Sequence, residues 1–297
     1  MMKFLIVDAF SEKLFGGNPA GVVILPEGKS FPSDEIMVKT AAELRYSETA
    51  FISILGDNEF NIRYFTPAAE VDLCGHATVG AFCALAHLGV IKDGDTCTNH
   101  TLAGELKIET CHGYVMMDMA EPQDISVISD TESLEELYTV LGSKYDKSLG
   151  ILPEIISTGL PDIMVPVSSE KALGAMAPDM KALAALSEKY KVTGVHAFSM
   201  TEEEGITAHT RNFAPLYDID EEAATGTSSG ALAYYLYKNS LIESNSEITF
   251  LQGEAMNRPS LIKASISSAA AVGSDHGKYK IKVGGKAVIL AEGEINL

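Results

Sequence analysis

One sequence pattern occurs twice in this chain, and this duplication constrains the fold more than any other feature. The first copy, Arg63-Tyr-Phe-Thr-Pro67, is followed by an acidic stretch and by Cys74-Gly-His-Ala-Thr78. The second copy, Arg211-Asn-Phe-Ala-Pro215, is followed by a longer acidic stretch and by Thr225-Gly-Thr-Ser-Ser229. Two copies separated by most of a domain predict a duplicated fold. We expect the two glycine turns to face one cleft, where a small ligand can bind.

Length and charge limit the domain number and the partners. The chain has 297 residues, enough for about two domains of ~150 residues each. We place the boundary near Ala120, which gives domains 1–120 and 121–297, with the final strand free to cross to the first domain. The 22 basic residues stand against 41 acidic ones, a formal charge of −19. Such an acidic chain is a poor partner for nucleic acid or an anionic membrane surface.

Targeting and cysteine patterns indicate a cytoplasmic protein. No apolar run approaches the ~20 residues of a membrane span, and Asp8 interrupts the first apolar stretch too early for a signal peptide. The cysteines form neither a CxxC pair nor a zinc-ligand spacing, so we expect free thiols in a reducing compartment. They are Cys74, Cys83, Cys97 and Cys111.

Short alternating segments separated by turn residues predict a largely antiparallel sheet in each half. The spacing also predicts a helix over 33–44, capped by Ser33. From 77 to 88 the side chains are small or apolar on nearly every face, which indicates a helix enclosed by sheet, and 229–237 repeats that character. The stretch from 121 to 141 is acidic and helix-prone. The expected class is α+β, with two pseudo-symmetric domains, each a strongly bent sheet around a central helix.

The two glycine turns are candidate anion sites. Peptide N–H groups at a helix start are unpaired and carry the positive end of the helix dipole, so the turns at Gly75 and Gly226 can bind a carboxylate. The alternative is that these glycines only permit tight turns before buried helices. Their occurrence as a matched pair favours binding.

Glu48 is the candidate acid or base. It lies in Ser47-Glu-Thr-Ala-Phe51, where an apolar strand begins. Its side chain either points outward as a surface charge or points inward, where burial raises a carboxyl pKa. Aligning Ala50-Phe51 with Ala197-Phe198 in the other half places Val195 opposite Glu48, so only one half carries the acid.

Other polar residues near the turns leave alternatives open. His76 is a capping, core or catalytic residue, and Glu222 lies before the second turn. Cys74 could be an activated thiol because a helix start lowers thiol pKa, whereas the matching Thr225 is a much poorer base. Cys74 and His76 could form half of a metal site, but no second His/Cys pair completes one, so we expect no metal. No phosphate-binding loop or dinucleotide motif is present.

Together the motifs resemble the PhzF family of phenazine-biosynthesis-like isomerases, within the diaminopimelate epimerase and proline racemase fold group. The resemblance runs almost from end to end. It rests on the segments Val7-Asp-Ala-Phe10, Gly17-Asn-Pro19, Ala41 to Phe51, Phe65-Thr-Pro67, Cys74 to Thr78, Phe213-Ala-Pro215, Glu221 to Gly226, Gln252-Gly253, Arg258-Pro-Ser260 and Val283-Gly-Gly285.

The resemblance implies specific roles for residues of this chain. The family's glutamate acid/base falls on Glu48, and its Gly-His turn falls on Gly75 and His76. The family's aspartate position is Glu222 here, and its serine is Thr227. These changes keep the charge and the hydroxyl but alter the side chains, which leaves the phenazine substrate open.

The epimerase branch of the fold group carries a cysteine in each turn. Here Cys74 matches the first and Thr225 replaces the second, which disfavours a two-thiol racemase. The resemblance implies no cofactor and a homodimer.

The sequence therefore predicts a cofactor-independent isomerase that moves a proton between carbons of a small anionic, carboxylate-bearing substrate. Glu48, with a raised pKa, would transfer the proton. The substrate-binding residues would be Cys74, Gly75, His76, Glu222, Thr225, Gly226 and Thr227. One alternative is an epimerase or dehydratase that uses Cys74 as its base. The other is a ligand-binding protein of the same fold without turnover.

Overall fold

The computed structural model describes residues 1–268 and 279–297. It is an α+β protein, as expected. The helices are α1 (Asp34–Leu44), α2 (Gly75–His87), α3 (Thr131–Val140), α4 (Glu170–Gly174), α5 (Met180–Tyr190) and α6 (Gly226–Lys238). The strands are β1 (Met2–Ala9), β2 (Asn18–Ile24), β3 (Thr49–Gly56), β4 (Glu59–Phe65), β5 (Glu70–Val71), β6 (Thr96–Thr101), β7 (Gly104–Cys111), β8 (Tyr114–Asp118), β9 (Gln123–Val127), β10 (Glu154–Ser157), β11 (Pro161–Pro166), β12 (Gly194–Met200), β13 (Ala208–Ala214), β14 (Ile219–Glu222), β15 (Ile248–Gln252), β16 (Ser260–Ser268), β17 (Tyr279–Gly285) and β18 (Ala287–Ile295).

The chain divides into two compact units. The first contains residues 1–118 and 284–297, and the second contains residues 119–283. The C-terminal residues belong to the first unit because β18 pairs antiparallel with β1 along nearly its whole length. The predicted boundary near residue 120 did not decide which domain contains the last strand. The pairing of β18 with β1 places it in the first unit.

The two units repeat the same strand pairings. In the first unit β18, β1, β2, β3, β4, β6, β7 and β8 are neighbours in that order, with β5 beside β4. In the second unit β9, β10, β11, β12, β13, β15 and β16 follow the same order, with β14 beside β13. The parallel pairs fall at matching places, β2 with β3 and β4 with β6, then β11 with β12 and β13 with β15. The predicted duplication is confirmed.

Each unit encloses one central helix. The helices α2 and α6 have 13 residues each, and both are buried on nearly every face of their N-terminal three turns. Helix α2 contacts β1, β2, β3, β8 and β18. Helix α6 contacts β10, β11 and β16. A helix with small and apolar residues all round needs such an enclosure to bury them, so each sheet bends around its helix.

The arginine of the repeated pattern is structural in both units. Arg63 donates two hydrogen bonds to Glu70, at 2.6 and 2.5 Å, and its guanidinium lies 5.1 Å from the centre of the Phe65 ring. Arg211 does the same with Glu221, at 2.8 Å twice, and with Phe213 at 4.9 Å. Paired hydrogen bonds to a carboxylate fix the planar guanidinium. In each unit, the arginine of the pattern therefore attaches a short strand to its neighbour, β5 to β4 through Glu70 and β14 to β13 through Glu221.

Outer helices cover the other face of each sheet. Helix α1 is capped by Ser33, as predicted, and buries Met37 and Ala41 against β2, β3 and β4. In the second unit α3 and α5 pack their leucines against β11, β12 and β13. The acidic stretch 121–141 is only partly helical, because β9 precedes α3 and pairs with β10. Across the part of the chain that the structure describes, no helix combines the length and the apolar character needed to cross a membrane.

Candidate active site

Glu48 points into the first unit. It immediately precedes β3, and only 12% of its side chain is exposed. Its backbone carbonyl accepts a hydrogen bond of 3.2 Å from the N–H of Gly21 on β2, which fixes the chain at this point. Of the two orientations that the sequence allows, the structure has the inward one.

Glu48 meets the residues that start α2. Its Oε2 lies 3.2 Å from Nε2 of His76, the second residue of the helix. The other ring nitrogen of His76, Nδ1, lies 3.3 Å from Sγ of Cys74, which precedes the helix. Ser47 Oγ contacts His76 Nε2 at 3.2 Å. The group is a buried acid, base and thiol in mutual contact.

Electrostatics in this group differ from the prediction for Glu48. Burial raises the pKa of its carboxyl, but the charge of His76 and the polar hydrogens of His76, Ser47 and Cys74 lower it, and the net pKa lies below its ordinary value. The expectation of a raised pKa is therefore wrong. A buried carboxylate keeps its charge when a cation and hydrogen-bond donors replace the lost water.

His76 and Cys74 respond in the opposite direction. Burial alone lowers the pKa of the His76 imidazolium, but Cys74 and Glu48 raise it well above its ordinary value. Burial, followed by the charge of Glu48, raises the pKa of the Cys74 thiol. The contacts therefore favour an ionised Glu48 and a protonated His76, and burial beside Glu48 favours the thiol form of Cys74.

Three buried polar residues anchor the turn and were not predicted from the sequence. Asn99 donates a hydrogen bond of 3.0 Å to the Tyr64 hydroxyl, which contacts the Thr78 hydroxyl at 2.7 Å. Thr78 in turn donates to the backbone carbonyl of Cys74 at 2.7 Å. These hydrogen bonds attach the start of α2 to β4 and β6. Tyr64 lies inside the repeated Arg-x-Phe pattern, which was the only sequence feature that could have indicated its role. Asn99 belongs to none of the sequence motifs.

The same group could supply three metal ligands. One atom each from Glu48, Cys74 and His76 lie within 4.8 Å of one another. Carboxylate, thiolate and imidazole are all zinc ligands, and sequence spacing did not reveal the third of them. A metal here would require a deprotonated thiol and an unprotonated imidazole, whereas burial and Glu48 favour the protonated thiol, and Cys74 and Glu48 favour the protonated imidazole. The group thus fits proton transfer better than metal binding.

The second unit places four of the predicted binding residues around the start of α6. Thr225 Oγ1 donates to Glu222 Oε2 at 2.9 Å. Gln252 Nε2 donates to the carbonyl of Glu222 at 2.8 Å and to Thr225 Oγ1 at 3.1 Å. Gly226 is the first helical residue, and the carbonyl of Thr227 accepts from Thr158 Oγ1 at 2.9 Å. The side chain of Thr225, the residue before this helix, makes no capping hydrogen bond among the described residues, which leaves the first N–H groups free of that contact.

Gln252 and Thr158 were not predicted as site residues. Gln252 belongs to one of the segments that carry the family resemblance, which was its only signal. Whether the turns at Gly75 and Gly226 share a cleft concerns the placement of the two units, and this stays a prediction.

The strand register corrects one comparison between the units. Thr49 pairs with Phe65, and Val195 pairs with Phe213, the matching residue of the repeat. The position equivalent to Glu48 is therefore Gly194, one residue before the Val195 that sequence alignment gave. The asymmetry of the acid remains.

Comparison with known proteins identifies the family. The family described as phenazine biosynthesis-like protein (PhzC-PhzF) matches residues 7–293. The chain belongs to this family. An uncharacterized isomerase of Clostridium acetobutylicum is 31% identical, over 98% of this chain and 97% of that protein. A trans-2,3-dihydro-3-hydroxyanthranilate isomerase of Pseudomonas chlororaphis is 29% identical over the full length of both.

Solved structures give the same result for this PhzF-family chain. The Bacillus anthracis phenazine biosynthesis protein of the PhzF family is 26% identical, with a TM-score of 0.86 over 100% of this chain and 99% of that one. A probable proline racemase from Agrobacterium radiobacter, 13% identical with a TM-score of 0.64 over 100% of this chain and 93% of that one, shares the fold alone. The chain is an isomerase of the PhzF family, as the sequence motifs predicted.

Proposed function

We propose that this isomerase works without a cofactor and that Glu48 transfers a proton between two carbons of a small carboxylate-bearing substrate. The observation that carries the proposal is the buried ion pair between Glu48 and His76 at the start of α2. Glu48 Oε2 is buried and lies 3.2 Å from His76 Nε2, so the carboxylate is held beside a cation and away from water. A carboxylate oxygen with a free lone pair, shielded from water, is suited to accept a proton from carbon.

The charges around Glu48 assign the roles. Glu48 is already ionised and takes the proton from one carbon, while the electron pair left behind moves into the substrate's π system. His76, as an imidazolium, stabilises the negative charge that develops. The protonated Glu48 then returns the proton to a second carbon, so substrate and product differ only in the position of a hydrogen and a double bond. No oxidant or reductant is consumed.

The anion-binding residues complete the proposal. The N–H groups at Gly75 and at Gly226 are each proposed to bind an anionic group of the substrate, because each glycine is the first residue of a central helix. Glu222, Thr225 and Thr227 are proposed to contact the remaining polar groups. The substrate class is a small anion, and trans-2,3-dihydro-3-hydroxyanthranilate, named for the Pseudomonas relative, is the first compound to assay.

Cys74 is not proposed as the base. Its pKa is raised by burial and by the charge of Glu48, whereas a catalytic thiol requires a lowered pKa. The inward position of Glu48 also argues against a protein that binds ligand without turnover. A cytoplasmic location and a homodimer are further parts of the proposal; the four free thiols support the first, and the family resemblance supports the second.

The test is Glu48→Gln, which keeps the shape and removes the base. Positioned acid–base groups contribute ~10²–10⁴-fold, so kcat should fall by at least that factor while the variant stays folded. The matched control is Glu43→Gln on the exposed face of α1, which should retain full activity. Turnover in deuterated water should place deuterium at the product carbon at least partly. Full activity in a folded Glu48→Gln would refute the role of Glu48.

A further inference from the structure

A second group of ionisable side chains lies in the other unit, away from the group at Glu48. Its centre is His209 on β13, whose side chain is only 7% exposed. Three carboxylates surround the ring: Glu170 at the start of α4, Glu203 in the loop between β12 and β13, and Glu254 in the turn after β15. Each comes from a different part of the second unit, and about half of each carboxylate side chain is exposed.

The two ring nitrogens of His209 have different surroundings. Nδ1 lies 2.6 Å from Glu254 Oε2, a hydrogen bond in which Nδ1–H is the donor. Nε2 is buried and, among the described residues, has no hydrogen-bond partner. It nevertheless lies 3.4 Å from Glu203 Oε2 and 3.6 Å from Glu170 Oε1. Either a proton on Nε2 or a cation bound to it can supply the positive charge that two adjacent carboxylates favour.

We propose that His209, Glu170 and Glu203 form a binding site for a divalent transition-metal ion of the zinc class. Ligand atoms that are each about 2 Å from a tetrahedral ion lie about 3.4 Å apart, and the distances from Nε2 to the two carboxylate oxygens match this spacing. Imidazole and carboxylate are a common donor set for zinc. One carboxylate must turn toward the other, which a half-exposed glutamate does by changing side-chain rotamer.

The surroundings of His209 have the features of a metal-ligating histidine. Such a histidine usually donates its second ring N–H to a carboxylate, which fixes the tautomer and turns the other lone pair toward the metal. Glu254 does this for His209. Ligating carboxylates are usually hydrogen-bonded in turn, and the hydroxyl of Thr201 donates to Glu170 Oε1 while accepting from the N–H of Glu203.

The chemistry here differs from that of the group at Glu48. A metal at His209 displaces no thiol proton, since its proposed ligands are one imidazole and two carboxylates. The net charge of −19 also favours the approach of cations. The ion would join α4, the β12–β13 loop and β13 in one unit, so its expected effect is stabilisation of that unit, apart from the isomerase reaction.

The test is calorimetric titration of the full chain with Zn²⁺. We expect one saturable site that loses at least tenfold in affinity in Glu203→Gln and in Glu170→Gln. These side chains are half exposed, so both variants should fold. Glu254→Gln should weaken binding by about 10–100-fold, the usual effect of losing the carboxylate behind a ligating histidine. Glu202→Gln, an exposed neighbour on the same loop, is the matched control and should bind as the wild type does.

Several outcomes would overturn the site. Absence of saturable binding would do so, as would unchanged Zn²⁺ affinity in both Glu203→Gln and Glu170→Gln. Loss of the binding isotherm in Cys74→Ser would place the ion at the first group instead. Nitrogen NMR of His209 that shows both ring nitrogens protonated in the presence of saturating Zn²⁺ would mean that a proton supplies the positive charge. Loss of one ring proton on adding Zn²⁺ would support the site.

Discussion

Replacing Asp162 by asparagine is expected to change how the stability of the second unit depends on pH. Asp162 lies on β11 with 2% of its surface exposed. One carboxylate oxygen accepts a hydrogen bond from Ser228 on α6, and the other is buried without a hydrogen-bond partner among the described residues. Asn212 donates to the same serine hydroxyl at 3.1 Å. A carboxyl with one oxygen unpaired is costly to ionise.

The magnitude follows from the pKa. Burial raises the pKa of Asp162 to about 6, against an ordinary value of 3.8, and the nearby donors Ser228, Gly194 and Asn212 offset only part of the effect. The folded state therefore holds its proton in a pH range where the unfolded state has lost it. Stability falls as pH rises through this range, by about 1.4 kcal/mol per pH unit, and the total is about 3 kcal/mol above pH 6.

Asparagine keeps the size and the acceptor for Ser228 but cannot ionise. Relative to the wild type, Asp162→Asn should therefore gain about 2 kcal/mol in unfolding free energy between pH 4.5 and pH 7.5. The chain has no tryptophan, so urea unfolding is followed by circular dichroism. Hydrogen exchange in peptides from residues 119–283 reports the second unit separately. The control is Asp220→Asn, an exposed carboxylate, which should follow the wild type at every pH.

Parallel stability curves for the wild type and Asp162→Asn would refute this reasoning. They would mean that the Asp162 carboxyl has the same proton affinity in the folded and unfolded chain. A difference that grows in the opposite direction, with the variant losing stability as pH rises, would mean that the ionised Asp162 stabilises the fold through Ser228 and its neighbours.

Three further predictions concern the candidate active site. In the pH profile of kcat/KM, activity should fall in acid only below about pH 4.5, because the pKa of Glu48 is lowered from that ordinary value. In alkali it should fall only above 6.5, because the pKa of His76 is raised from that ordinary value. Loss of activity on acidification near pH 7 would contradict this. Cys74→Ser should keep activity within about tenfold, because the neutral thiol is not the base; a loss as large as that of Glu48→Gln would assign the proton transfer to sulfur. Incubation with a chelator and dialysis should leave turnover unchanged, and recovery of a lost activity by Zn²⁺ would show a catalytic metal.

The fold was predictable from the sequence because its signals are local. The Arg-x-Phe-x-Pro pattern, the glycine turn and the apolar helix recur within a short stretch, and each half folds them in the same way. The helix at 33–44 was predicted from one capping serine and its spacing. The strand β9 was not, because its five residues are all exposed and the apolar Ile125 and Val127 lie among acidic residues.

The polar interior could not be read from the sequence because its contacts join distant residues. Asn99 and Tyr64 are 35 residues apart in the sequence and form a hydrogen bond because β4 pairs with β6. Neither residue type predicts this contact. His209 and its carboxylates meet because the start of α4, the β12–β13 loop and the turn after β15 all lie beside β13. Sequence reasoning finds residue types, whereas these groups are defined by which strands are neighbours.

The sign of the pKa shift at Glu48 was unpredictable for a related reason. Burial and the charge of His76 act in opposite directions on the carboxyl, and the outcome depends on a distance of 3.2 Å between residues 28 positions apart. From the sequence, only the apolar surroundings of Glu48 were visible, and they favour a raised pKa. The base is therefore tuned by the cation beside it, which makes His76 part of the same chemical unit.

The strand register explains why only one copy of the duplicated scaffold carries this base. The position equivalent to Glu48 is Gly194, where a Cβ atom would lie 2.0 Å from the backbone oxygen of Phe213. No real Cβ contact is that short, so the second unit can hold neither glutamate nor any other side chain there without moving β13. A buried acid of the second unit, Asp162, is on the neighbouring strand and accepts a hydrogen bond from Ser228. The backbone at this position, more than the choice of residue, therefore determines which unit can hold a carboxylate beside the start of its central helix.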